Sequence, residues 1–123
     1  MKPENKKILH RAIATFGRSN QKMQTLEELM ELQRAIFENV HRGTDNKKEI
    51  IEEVADVEIM LAQVKMIYDI DQKEIEKIQD YKVGRLDHTI DKYLAKQAAN
   101  NEQVEKQTPD FTALIDRETS NGR

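Results

Sequence analysis

The sequence predicts an all-α protein, a helical bundle of about four helices. Three observations carry this. The chain of 123 residues is rich in Glu, Lys, Gln, Ile, Leu and Ala and holds only two Pro and four Gly, a balance that favours helices. Apolar residues recur three and four positions apart in four separate stretches, which is the spacing of a helix face. The breaks between those stretches are short and carry Gly, Asn and Asp, residues that end or cap helices. The length suits one domain with a real but small core.

Residues 4 to 16 place Ile8, Leu9, Ala12, Ile13 and Phe16 at helical spacing. Gly17 can end that helix, and Ser19 or Asn20 can cap the next. The second helix spans about 20 to 41, with Leu26, Leu29, Met30, Ile36, Phe37 and Val40 as its expected core stripe. A second, narrower patch on it bears Glu28 and Glu31, near Leu32 and Ala35. Residues 42 to 46 form a turn in which Asp45 or Asn46 can cap. The third helix, about 46 to 68, is the most apolar; from Val54 to Tyr68 only Asp56, Glu58, Gln63 and Lys65 are polar. Most of its circumference is expected to be covered by protein. Asp71 and Glu74 have the spacing of a capping box and open a fourth helix, about 72 to 97. Its apolar residues are Ile75, Ile78, Val83, Leu86, Ile90, Tyr93 and Leu94. Residues 1–98 are therefore the expected domain. Residues 99–123 read as a flexible polar tail, with Phe111, Leu114 and Ile115 able to make a short docking turn.

The short loops call for antiparallel neighbours. The third helix is too apolar for a monomer of this size to cover, so an oligomer is expected, a homodimer or homotetramer. With no Cys, disulfides and thiolate metal sites are excluded. The net charge of −3, with both signs interspersed, gives no basic footprint for nucleic acid. No run of about 18 apolar residues marks a membrane span, and the first residues lack an apolar signal core. A soluble cytoplasmic protein is the expectation.

The chemistry is sought in two acid pairs, Glu28-x-x-Glu31 on the second helix and Glu53-x-x-Asp56 on the third. Residues three apart on a helix are surface neighbours. Glu53 and Asp56 fall near the meridian of Val57, Met60, Val64 and Ile67, where a carboxylate is costly unless something positive meets it. Either pair alone has the ordinary look of a solvated face. On antiparallel neighbours, however, all four can converge, and four like charges require a counter-ion. Magnesium takes oxygen ligands and leaves positions for water and phosphate. A di-iron site is disfavoured, because the one Glu-x-x-His spacing, Glu38 to His41, lies off the meridian of Glu28 and Glu31.

Phe16-Gly17-x-x-x-Gln21, Glu27-Glu28-Leu29-Met30-Glu31-Leu32 and Glu52-Glu53-Val54-Ala55-Asp56-Val57 together resemble the MazG-like branch of the all-alpha nucleoside triphosphate pyrophosphohydrolases. The resemblance covers residues 8 to 95. It implies an enzyme dependent on Mg2+ (or Mn2+) that cleaves a nucleoside triphosphate, ribo or deoxy, between the α and β phosphates. The products would be the monophosphate and pyrophosphate. It also implies that Glu28, Glu31, Glu53 and Asp56 are the metal ligands and catalytic acids, and that members assemble as dimers or tetramers. Lys82 and Arg85 resemble a basic segment of the family's last core helix and are candidates for binding phosphate, with a solvated helix face as the alternative. Gln21 matches a recurrent position before the acidic helix and is a candidate substrate contact.

A triphosphate repels nucleophiles. Metal ions offset its charge and lower the pKa of a bound water, which one of the four acids, Glu31 or Glu28 first among them, would orient or deprotonate. Without Cys, and without a Ser-His-acid arrangement, a covalent route is not favoured. The alternative function is a non-enzymatic helical oligomer acting as an interaction or adaptor protein, motivated by the high charge content and the uncovered third helix.

Overall fold

The computed structural model describes residues 1–107 and is all-α, with four helices: α1 (Pro3–Phe16), α2 (Arg18–Arg42), α3 (Lys47–Ile67) and α4 (Gln72–Gln107). By its contacts the chain divides after Glu76 into one compact unit, Met1–Glu76, and a second from Lys77 onward.

Within the first unit, α1, α2 and α3 all pack on one another, and α2 against α3 is the main pairing. Two side-chain contacts fix its direction. Gln21, near the start of α2, donates to Gln63 near the end of α3. Asn46, at the start of α3, donates to the carbonyl of Ala35 on the last turns of α2. The two helices are therefore antiparallel, as the short turn between them requires.

The turns follow from local chemistry. Gly17 has φ +92° and is both the last cap of α1 and the first of α2, donating its N–H to Ile13 and accepting from Gln21. A one-residue reversal at positive φ suits glycine, which has no Cβ to clash. It also removes the need for the expected Ser19 or Asn20 cap; Asn20 instead donates back to the carbonyl of Phe16. Gly43, at φ +61°, closes α2 in the left-handed cap that helices commonly use. Asn46 is the N-cap residue of α3, as the sequence allows, but its amide nitrogen goes to Ala35 rather than to its own helix. Its Oδ1 is buried with no hydrogen-bond partner among the described residues. The Asp71–Glu74 box forms: Asp71 accepts from the N–H of Lys73, and Glu74 accepts from the N–H of Asp71.

Burial departs from the expected stripes. The α2 face turned to α3 carries Gln21, Thr25, Leu32 and Ala35, whereas Leu26, Leu29, Met30, Ile36, Phe37 and Val40, the expected core stripe, are exposed. Small and amide side chains let the two backbones come close, so the packed face of α2 is the less hydrophobic one. On α1 only Leu9 is buried, with Ala12 and Ile13 half-buried. On α3 the buried residues are Val57, Met60, Gln63 and Ile67, while Ile51, Val54, Ile59 and Leu61 stay exposed. The expectation that protein covers most of this helix does not hold within a single chain.

On α4, Ile75 is half-buried and Ile78, Val83, Leu86, Ile90, Tyr93 and Leu94 are exposed. The helix also runs ten residues past its expected end. Its apolar pattern stops near residue 97, but Glu102, Gln103, Glu105 and Lys106 keep a high helix propensity. The expected docking turn at Phe111, Leu114 and Ile115 lies outside the described residues.

The Gln21–Gln63 bond is 2.7 Å long and buried. Gln63→Ala strands the Gln21 amide, and a stranded buried donor costs about 1–3 kcal/mol. The Gln21→Leu/Gln63→Leu pair, which removes both partners, is expected to unfold at a denaturant midpoint close to that of the unaltered chain. Urea titration of the two variants checks this.

Candidate metal centre

The antiparallel hairpin sets the middle of α2 against the middle of α3. Glu28 comes from α2; Glu53 and Asp56 come from successive turns of α3. One carboxylate oxygen from each of the three lies within 4.8 Å of the other two. Glu28 and Glu53 are half-buried and Asp56 is exposed, so the cluster opens to solvent on one side. Three oxygen donors at this spacing match the needs of a hard divalent cation, which binds oxygens at about 2.0–2.6 Å and fills its remaining positions with water or phosphate. On the chemistry of these donors, the residues fit a hard divalent cation.

The fourth expected acid behaves differently. Glu31 is ion-paired with Arg34, one turn on along α2, and its carboxylate is not one of the three that converge. Its charge still reaches the cluster. Partial burial, followed by the negative charges of Glu31, Asp56, Glu28 and Glu49, raises the pKa of Glu53 above its ordinary value. Like charges and desolvation act in the same direction here, both disfavouring the ionised carboxylate.

Three supporting residues escaped the sequence reading. Gln24 donates from Nε2 to Oε1 of Glu28 at 2.8 Å, fixing one oxygen of that carboxylate. Arg34 holds Glu31. Glu49 adds to the field at Glu53. All three were findable by the helical-neighbour rule, being three or four positions from an acid.

The other candidate residues are placed as follows. Gln21 is buried; its side-chain amide is committed to Gln63, and its backbone carbonyl accepts from Thr25. Its visible task is to bolt α2 to α3. Lys82 and Arg85 lie one turn apart on α4. With Leu86 and Thr89 they line an open hollow of about 330 Å3, and the guanidinium of Arg85 sits 6.0 Å from the ring centre of Tyr81. A larger cavity, about 710 Å3, runs along the side of α3 away from the acids. There Lys6, His10 and Lys65 face Glu58 and Asp69, so opposite charges offset one another and the lining favours no one charge of ligand.

No family model, curated protein or solved structure matches this chain.

The raised carboxyl of Glu53 has a consequence for stability. A folded-state pKa above the unfolded one means that the folded chain holds this proton more tightly. Stability from this group is thus fully present below the unfolded pKa and is lost as pH rises through the folded value. Glu53→Gln is expected to raise the Tm of the metal-free protein at neutral pH. The advantage should shrink as pH falls through the carboxylate range. Thermal melts from acid to neutral pH, without divalent ions, measure it.

Proposed function

We propose that the protein is a divalent-metal-dependent nucleoside triphosphate pyrophosphohydrolase, acting on ribo- or deoxynucleotides. The observation that carries this reading is the convergence of Glu28, Glu53 and Asp56 from two helices, at the positions that the MazG-like resemblance implies. In the reaction, water attacks the α phosphorus, the bond between that phosphorus and the bridging oxygen breaks, and pyrophosphate leaves.

Glu28, Glu53 and Asp56 would hold the cation. When bound, Mg2+ or Mn2+ supplies charge compensation for the phosphates and acidifies a water molecule. Gln24 fixes the carboxylate of Glu28, so that ligand is partly oriented in advance. Glu31 is the acid left over from the cluster. Released from Arg34, it would serve as the carboxylate that accepts the proton of the attacking water. An exposed ion pair of this kind is worth about 0–1 kcal/mol, so its release costs little. Lys82 and Arg85 remain the expected phosphate contacts and Gln21 the expected substrate contact, on the strength of the sequence alone. The working form is expected to be a homo-oligomer.

The second reading, a helical interaction protein without catalysis, is favoured by the exposed apolar side chains of α2 and α4. One pair of measurements separates the two. With Mg2+ or Mn2+ and a panel of nucleoside triphosphates, the enzyme releases pyrophosphate, and Glu53→Gln lowers the rate by about 100-fold or more, because metal charge stabilisation is worth several kcal/mol. Metal at a hundred times its Kd also adds about 2.7 kcal/mol of stability to the unaltered protein. If no triphosphate yields pyrophosphate, and Mg2+ and Mn2+ leave the Tm where it was, the enzymatic reading is wrong and the interaction protein stands.

A further inference from the structure

At the corner where α1 turns into α2 lies a hollow of about 510 Å3, lined by Phe16, Asn20, Gln21, Met23, Gln24 and Glu27. It adjoins the acids. Gln24 lines it and also donates to Glu28, one turn, about 6 Å, further along α2. The reversal at Gly17 puts Phe16 beside the first turns of α2, and Asn20 ties the corner by donating to the Phe16 carbonyl. The Phe16 ring, 61% exposed, thus stands next to a set of polar side chains with one shared character. Asn20, Gln21 and Gln24 are each anchored through the amide nitrogen, to the Phe16 carbonyl, Gln63 and Glu28 in turn. Among the described residues no donor reaches their side-chain oxygens, and Glu27 has neither hydrogen bond nor ion pair. The hollow therefore presents acceptors, and no Lys, Arg or hydroxyl lines it.

We infer that this hollow seats the base of the nucleotide and selects guanine. The inference rests on the pyrophosphohydrolase reading for the direction of the phosphates: a base held there sends its ribose past Gln24 and its phosphates toward Glu28, Glu53 and Asp56. The Phe16 ring offers a face for stacking, which any base can use. Glu27 makes the choice. An ionised carboxylate only accepts hydrogen bonds, through two oxygens side by side. Guanine alone among the common bases sets two different N–H groups side by side, N1–H and the N2 amino group. Adenine and cytosine put a ring acceptor beside their amino group. Uracil and thymine flank a single N–H with two carbonyls. Each of these four would turn a lone pair toward the carboxylate. The oxygens of Asn20 and Gln24, already oriented by their anchored nitrogens, add to the same bias. A ligand without matching donors leaves such acceptors unpaired, and that mismatch is the basis of discrimination.

Nucleosides test this without phosphate and without metal. In NMR spectra of the full chain, millimolar guanosine is expected to shift the side-chain amide signals of Asn20 and Gln24. Inosine differs from guanosine only in lacking the amino group. Inosine, adenosine, cytidine and uridine should each bind about 10-fold more weakly or worse, the discrimination of one bidentate contact to a base edge. Glu27 is exposed, so Glu27→Ala should leave the backbone spectrum in place while guanosine falls to the level of inosine. Phe16→Ala should weaken all five nucleosides together, since stacking does not distinguish bases. Equal shifts with every nucleoside, shifts with none, or a guanosine preference that survives Glu27→Ala overturns the proposal. So does guanosine binding that Phe16→Ala leaves unchanged. The result is separable from the catalytic one. Guanosine binding without pyrophosphate release from any triphosphate keeps the guanine site and strikes the hydrolase. Release from every triphosphate with no nucleoside preference does the reverse.

Discussion

The pairing of α2 with α3 is the constraint on which the rest depends, and polar groups set its register. A bond between two buried glutamines closes one end of the hairpin, and a bond from Asn46 to the Ala35 carbonyl closes the other. Apolar contacts are indifferent to small slips along a helix; a buried amide that loses its partner is not. With both ends pinned, the middles of the two helices have one alignment open to them. That alignment brings Glu28 to Glu53 and Asp56. The acids do not draw the helices together: partial burial first, and then the like charges of its neighbours, raise the pKa of Glu53.

A bound cation would relieve this opposition. Like charges brought together cost stability unless something offsets the cost. The hairpin supplies the restraint, and a divalent ion would supply the attraction. Gln24 and Arg34 divide the α2 acids between two tasks. Gln24 orients Glu28 within the cluster, while Arg34 engages Glu31. Two residues one turn apart, chemically identical, thereby acquire different surroundings.

Much of the frame was legible in the chain alone. The four helices, the end of α1 at Gly17 and the Asp71–Glu74 cap follow from spacing and from residues with one clear local preference. The two acid couples were visible as couples. What spacing could not disclose is which neighbour a face meets. Periodicity marks Leu26, Met30 and Phe37 as one side of α2, but the single chain buries the opposite side, where Gln21, Thr25 and Ala35 allow close approach. A rule that ranks faces by hydrophobicity chooses wrongly when the packed face is chosen for small size and hydrogen bonding. The end of α4 was misjudged for a related reason: a helix persists wherever propensity is high, with or without an apolar stripe to announce it.

The hairpin that carries the four acids is one continuous run of chain with a four-residue turn at its centre. Contacts between neighbours in sequence demand little loop-closure entropy and are associated with rapid folding. The acidic cluster is therefore a local product of the chain, assembled from a single supersecondary unit rather than gathered from distant segments. Grafting that unit onto another helical scaffold would transfer all four carboxylates, together with Gln24, Arg34 and the two polar clasps that align them.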